Sequence, residues 1–195
     1  MTVQPHGPPR LRVVRAAAPA GDPANAPVLS SEPEHFDPLY RRFAPYVASI
    51  AMRLLGRDAE LDDLVQDVFV EVLRGIGRLR EPAAFKGWLA QITVRTATRR
   101  LRQRNLRRAL HLDAATSDYD ALAGPEATPD QRALIATIYR VLDRLPAQTR
   151  VIWILRHVLE EPLPSVADLS GCSQSTVQRR LLDAQTVIDR ELSHE

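Results

Sequence analysis

A single cysteine, Cys172, stands in a chain of 195 residues. That excludes a disulfide framework and fits a reducing compartment. Lysine is nearly missing, with 25 arginines against Lys86 alone, and glycine is scarce at eight. No apolar run approaches the roughly 20 residues that a membrane span needs. The N-terminus carries arginines without a continuous apolar stretch, so it does not read as a secretory signal, and a cytoplasmic location is expected. Strand-like alternation of any length is missing, which predicts an all-α chain. His6, His35, His111, His157 and His194 are scattered without metal-ligand spacing. With neither a phosphate-cradling glycine loop nor a nucleophile motif, no catalytic, metal or cofactor site is expected.

What the sequence does have is an uneven distribution of charge. The whole chain is nearly neutral, at +2. Between Phe36 and Arg108, however, fifteen Lys/Arg face eight Asp/Glu, a local net of +7. Arg95, Arg99, Arg100, Arg102, Arg104, Arg107 and Arg108 follow one another with no acid among them. A local excess of this kind is the footprint expected for phosphate-backbone binding, driven by counterion release. A solvated helix face would look the same.

Four parts follow from composition and periodicity. Residues 1–31 are rich in Pro and Ala and read as a disordered tail. Residues 32–108 read as three helices, at about 36–55, 58–75 and 83–108. Phe36, Leu39, Tyr40, Phe43, Val47, Ile50 and Leu54 give the first its apolar face, and Pro45 should bend or interrupt it. Asp58 can cap the second. Its stripe runs through Leu61, Leu64, Val65, Val68, Phe69, Val72 and Leu73, opposite an acidic face of Glu60, Asp62, Asp63, Asp67 and Glu71. Residues 109–131 hold five acids and no Lys or Arg, the composition of a flexible acidic linker. Residues 132–195 form a second small helical domain.

Within that second domain, Ala167, Gly171 and Val177 stand at the spacing of a helix-turn-helix. A small residue lets two helices approach, glycine takes the left-handed conformation of the turn, and a β-branched residue packs the second helix on the first. Ser173 is a good N-cap. The residues after it would face a major groove, where Gln and Arg read base edges and Ser and Thr suit phosphates. A glycine turn in an ordinary helical hairpin shares this pattern. Cys172, in the turn, reads as a small packed residue.

Three segments in this order resemble the bacterial extracytoplasmic-function sigma factors of the sigma-70 superfamily. Residues 62–69 (DDLVQDVF) are similar to that family's acidic-helix motif. Residues 84–92 (AFKGWLAQI), with the arginine run after them, resemble its promoter-melting and minus-10-reading segment. LPAQTRV at 145–151, VADL at 166–169 and STVQRRL at 175–181 resemble its minus-35-reading domain. The resemblance implies a dissociable subunit that binds core RNA polymerase, recognises minus-10 and minus-35 promoter elements and directs transcription initiation. It also implies an anti-sigma factor as a further partner.

By this resemblance, Asp62, Asp63, Gln66 and Asp67 would dock on core polymerase. Arg80, Phe85, Lys86, Trp88, Arg95, Arg99, Arg100 and Arg102 would hold the minus-10 element and its melted non-template strand. The i, i+3 spacing of Phe85 and Trp88 fits core packing equally. Ser173, Gln174, Ser175, Thr176, Gln178, Arg179, Arg180 and Asp183 would read the minus-35 duplex. The acidic linker would thread the polymerase's RNA exit path. The sequence departs from the family pattern at Arg95, where asparagine is usual, and at Gln178 and Asp183, where basic residues are common, so the minus-35 sequence does not carry over. Pro162 and Pro164 replace the usual serine and glutamate and fix a helix start. The alternative is a stand-alone helix-turn-helix regulator that binds duplex tightly without polymerase.

Overall fold

The computed structural model describes residues 33–56, 59–110, 119 and 122–193. Among these there are seven α-helices and no strand: α1 (Pro33–Leu55), α2 (Leu61–Gly75), α3 (Phe85–Ala109), α4 (Pro129–Leu142), α5 (Ala147–His157), α6 (Leu163–Ser170) and α7 (Gln174–Leu192). The all-α expectation holds. The proline-rich tail, the Asp58 cap and linker residues 111–118, 120 and 121 lie outside the described residues.

α1, α2 and α3 pack on one another around Leu39, Phe43, Val47, Leu54, Leu64, Val68, Phe69 and Leu89, all buried. Two local expectations change. α1 runs unbroken through Pro38 and Pro45. A proline inside a helix costs about 3 kcal/mol, but each large apolar side chain buried along α1 returns roughly 1.5–3 kcal/mol. α2 begins at Leu61 rather than at residue 58, and Glu60 at its N-cap makes no side-chain capping bond. Asp62 and Asp63 in its first turn instead complement the helix dipole.

α3 is the central helix. It touches α1, α2, α5 and α6 and is buried on nearly all sides through its middle, from Leu89 to Leu101. Thr93 and Thr98 tolerate that burial because each hydroxyl donates to the carbonyl four residues back, Leu89 at 2.8 Å and Val94 at 2.7 Å.

The C-terminal half starts earlier than composition suggested. Thr128 and Gln131 form a reciprocal capping box, Pro129 occupies the first turn, and α4 begins there rather than at 132. The helix-turn-helix is built as its residues predict. Gly171 ends α6 in the left-handed conformation (φ 65°, ψ 33°), and the Ser173 hydroxyl accepts from the Thr176 amide at 3.3 Å to cap α7. Val177, Ala184 and Ile188 bury one stripe of α7.

The two halves are not held apart. α5 and α6 pack against α3, α5 also touches α1, and one continuous core runs through both halves. Tyr119 and Leu122, from the segment read as a spacer, are buried in it.

Candidate functional surfaces

The acidic face of α2 divides in two. Asp62, Asp63 and Gln66 are exposed and line a cleft of about 430 Å³ with Phe36, Tyr40, Phe69, Val70 and Leu73. Tyr40, Val70 and Leu73 are exposed apolar side chains. Tyr40 rests edge-on against Phe69, with ring centroids 4.7 Å apart. The result is an apolar strip rimmed by two carboxylates. Leu73, read from sequence as part of the core stripe, lies on this strip instead. Asp67 and Glu71 point the other way, toward α3. Arg100 donates to Asp67 at 2.6 Å, Arg95 to Glu71 at 2.5 Å, and Arg99 sits 3.8 Å from Asp67 and 3.6 Å from Glu71. Asp67, grouped from sequence with Asp62, Asp63 and Gln66, is therefore a partner of the arginine run.

Three more arginines of the run are engaged. Arg102 donates to the Gln148 side chain at 2.7 Å. Arg104 and Arg108 donate to the two oxygens of Asp143, at 2.7 and 2.8 Å. Arg107 lines a polar cleft of about 440 Å³ with Glu60, Asp63, Asp67, Arg99, Arg100 and Gln103.

Asp143 is a junction between the halves. Besides Arg104 and Arg108 it accepts from Arg150 and from the Tyr119 hydroxyl, the latter at 2.5 Å. Burial alone would raise the Asp143 pKa, but Arg150 and Arg104 beside it outweigh that and hold it down at about 2. The same arginines reach the end of α1. Arg150 donates to the carbonyls of Leu54 and Leu55 at 3.0 and 2.8 Å, Arg104 to Leu55 at 3.1 Å, and the Tyr139 hydroxyl to Arg53 at 2.9 Å. Carbonyls in the last turn of a helix lack intrahelical partners, so the C-terminal half caps α1. Gly56, at φ 75°, makes room for this. A Cβ there would lie 2.7 Å from Arg150 Nη2 and 2.9 Å from Tyr139 Cδ1.

Between α2 and α3, Arg74, Gly75, Arg78, Leu79, Trp88, Ile92 and Arg95 surround an open cleft of about 410 Å³ together with Glu71. The Trp88 indole forms one wall and packs over Gly75, where a Cβ would come within 2.7 Å of its ring. Phe85 does not reach this cleft. It is 1% exposed and packs on Phe43 with centroids 5.0 Å apart, so its ring is core and is not free to stack on a base. Arg80 and Lys86 are exposed, and Lys86 lies over the Tyr46 ring. Arg74 and Arg78 were not singled out from the sequence. Their signal was their position flanking the glycine-containing turn beside Trp88.

On α7, Gln174, Ser175, Gln178, Arg179 and Asp183 are exposed on one face. Thr176 and Arg180 are half-buried at its edges. Ser173 is spent on the cap. Leu182, 69% exposed, lies on the same face one turn beyond Gln178, and sequence reading missed it. A face that mixes amide, guanidinium, carboxylate and an apolar group can address base edges, including a thymine methyl.

These features define a class: two helical halves, one with a basic central helix beside an acid-rimmed apolar strip, the other ending in a capped helix-turn-helix. The family profile for Sigma-70 region 2 matches residues 39–107. The chain is 27% identical over 166 residues to the RNA polymerase sigma-H factor of Pseudomonas aeruginosa, covering 80% of this chain and 86% of that protein. It is 28% identical over 150 residues to the ECF RNA polymerase sigma factor SigE of Mycolicibacterium smegmatis, covering 75% of this chain and 57% of that protein. In fold it resembles the sigma factor RpoE crystallised with the anti-sigma factor NepR from Bartonella quintana, with a TM-score of 0.59 at 20% identity over 81% of this chain and 96% of that one. It also resembles CnrH in complex with the cytosolic domain of CnrY, with a TM-score of 0.53 at 22% identity over 84% of this chain and 91% of that one. Residues 39–107 thus match the Sigma-70 region 2 family, and over most of its length the chain is similar to bacterial RNA polymerase sigma factors.

Proposed function

We propose that this chain is the promoter-specificity subunit of a bacterial RNA polymerase. It docks on core enzyme, recognises minus-10 and minus-35 elements and directs initiation, while the polymerase performs the chemistry. The observation that carries the reading is the coexistence, in one chain of this family, of an exposed acid-rimmed apolar strip and a separately capped helix-turn-helix. Residues 32–108 act as the part that binds core polymerase and the minus-10 element. Residues 109–131 act as linker, and residues 132–195 as the minus-35-binding part.

Polymerase docking is assigned to Asp62, Asp63 and Gln66, with Tyr40, Val70 and Leu73 as the apolar contact. A basic, partly apolar helical surface is the complementary partner. Such charge matching sets orientation and on-rate more than raw affinity. The minus-10 strand is assigned to the Trp88 cleft, where the indole and the Arg74, Arg78 and Arg95 guanidiniums offer stacking planes and phosphate contacts to an unpaired base. Arg80 and Lys86 extend that surface. The minus-35 duplex is assigned to Gln174, Ser175, Gln178, Arg179, Leu182 and Asp183, with Thr176 and Arg180 at the flanks. The protein works in the cytoplasm, and an anti-sigma factor is its inhibitory partner.

Co-elution with purified core polymerase tests the docking assignment. The wild-type chain is expected to co-elute. The Asp63→Ala, Gln66→Ala double variant, with unchanged helical circular dichroism, is expected to lose co-elution. Equal co-elution of the two proteins would overturn the docking assignment.

A further inference from the structure

Leu182 is the most exposed large apolar side chain among the described residues, at 69%. A lone exposed leucine is ordinary on a protein surface, and its place on α7 gives this one meaning. Val177, Ala184 and Ile188 form the buried stripe of the helix. At about 100° per residue, Leu182 stands about 140° around the helix from the middle of that stripe, close to the centre of the outward face. Gln178, one turn earlier, and Arg179 flank it, and both are exposed. Asp183 lies on the far side of Arg179, about 100° round from Leu182.

The rest of the motif fixes that face outward. The Trp153 indole donates to the Gln185 side chain at 3.4 Å, and Gln148 donates to the Ser170 carbonyl in the turn at 2.7 Å. Several polar groups near the leucine are occupied within α7. Ser175 pairs with Ser173 at 3.1 Å, Thr186 donates to the Leu182 carbonyl at 2.9 Å, and Gln185 donates to Asp189 at 2.6 Å. The Gln178 side chain has no hydrogen bond among the described residues. An unengaged amide therefore stands beside an uncovered leucine.

Side chains four residues apart on a helix are about 5–6 Å from each other. That separation fits inside a major groove about 12 Å wide, so both groups reach one base pair or two neighbouring ones. A glutamine amide matches adenine N6 and N7, and an apolar group matches the thymine methyl on the same groove edge. Against a G·C pair the leucine would cover the cytosine amino group without offering it an acceptor, which is unfavourable.

We infer that Gln178 and Leu182 together select A·T in the duplex that α7 reads, with adenine at Gln178 and the thymine methyl against Leu182. This rests on the minus-35 assignment of α7 and adds to it the identity of the bases and the group that is recognised.

The test selects binding sites from a pool of random-sequence duplexes, once with the full chain on core polymerase and once with the chain alone. The enriched site is remade with uracil in place of each thymine in turn, which removes only the methyl group. One such exchange is expected to weaken wild-type binding about fourfold, the worth of one buried methyl. The Leu182→Ala variant should bind the thymine and uracil duplexes equally. Gln178→Ala should relax the preference for adenine at the same pair or its neighbour by roughly 5–150-fold. Both positions are exposed, and unchanged helical circular dichroism confirms that the variants fold. A wild-type site at which no uracil exchange matters overturns the inference, as does full uracil sensitivity in Leu182→Ala. Enrichment without methyl sensitivity leaves the minus-35 assignment standing. No enrichment in either format removes that assignment and the inference with it. Enrichment only in the absence of polymerase, with the expected methyl sensitivity, removes the sigma reading and leaves the base selection in place.

Discussion

Replacing Gly56 by alanine tests how tightly the two halves are fitted. Gly56 sits at φ 75° directly after α1. A left-handed backbone costs a residue with a side chain roughly 1–2 kcal/mol. The added methyl would lie 2.7 Å from Arg150 Nη2, 2.9 Å from Tyr139 Cδ1 and 3.2 Å from Tyr119 Cε1. Those groups are themselves pinned, since Arg150 holds the Leu54 and Leu55 carbonyls and Asp143, and Tyr139 holds the Arg53 carbonyl. Moving the guanidinium leaves buried carbonyls unsatisfied, at roughly 1–3 kcal/mol. The total expected loss is about 2–5 kcal/mol, or roughly 4–20 °C in melting temperature for a chain of this size. Gly171 supplies the control. It has nearly the same φ, 65°, but nothing within 4 Å of its would-be Cβ, so Gly171→Ala should cost only the backbone part, about 1–2 kcal/mol. Urea denaturation of both variants reads the difference. Equal losses for the two would refute the close fit between the halves at Gly56.

Acid should weaken the Asp143 junction in a defined window. The Asp143 pKa is depressed from 3.8 to about 2, so its stabilisation is fully present above about pH 4 and is lost as pH falls toward 2. The size is on the order of 2 kcal/mol. Urea midpoints of wild type and Asp143→Asn should converge through that window, and parallel profiles would contradict the assignment. Ser173→Ala removes the α7 cap and should cost about 1 kcal/mol, read as faster amide exchange in the first turn of α7. Asp67→Asn combined with Glu71→Gln breaks four partly exposed ion pairs worth roughly 0–1 kcal/mol each, so thermal stability should fall only modestly. By releasing Arg95, Arg99 and Arg100 the pair should steepen the single-strand salt slope by about 2, and an unchanged slope would show that these arginines do not reach DNA.

The parts of the fold that were legible in the sequence are those set by local rules. Ala167, Gly171, Ser173 and Val177 define the helix-turn-helix because a turn, a cap and a close helix approach each demand a residue type within a few positions. The Thr128–Gln131 capping box was equally readable, but it lies in a stretch whose acidic, proline-containing composition suggested a spacer. The net charge of the arginine run was plain, yet its partners were not. Asp67 and Glu71 meet it across 33 and 24 residues, and Asp143 meets Arg104 across 39. No periodicity encodes such pairings. They arise from how α2 and the α4–α5 turn pack on α3. Phe85 and Trp88 share helical spacing and aromatic character, and only packing separates them, with Phe85 in the core and Trp88 at the wall of a cleft. Leu182 was overlooked because a lone leucine on a polar helix face reads as incidental. On α7 it stands beside Gln178, Arg179 and Asp183.

Run-off transcription with bacterial core RNA polymerase tests the central claim most directly. The template is the region upstream of the gene encoding this chain. The account predicts a discrete transcript that requires the chain and disappears with the Asp63→Ala, Gln66→Ala variant. No chain-dependent transcript, together with tight sequence-specific binding to the same duplex in the absence of polymerase, would contradict it and favour a stand-alone regulator.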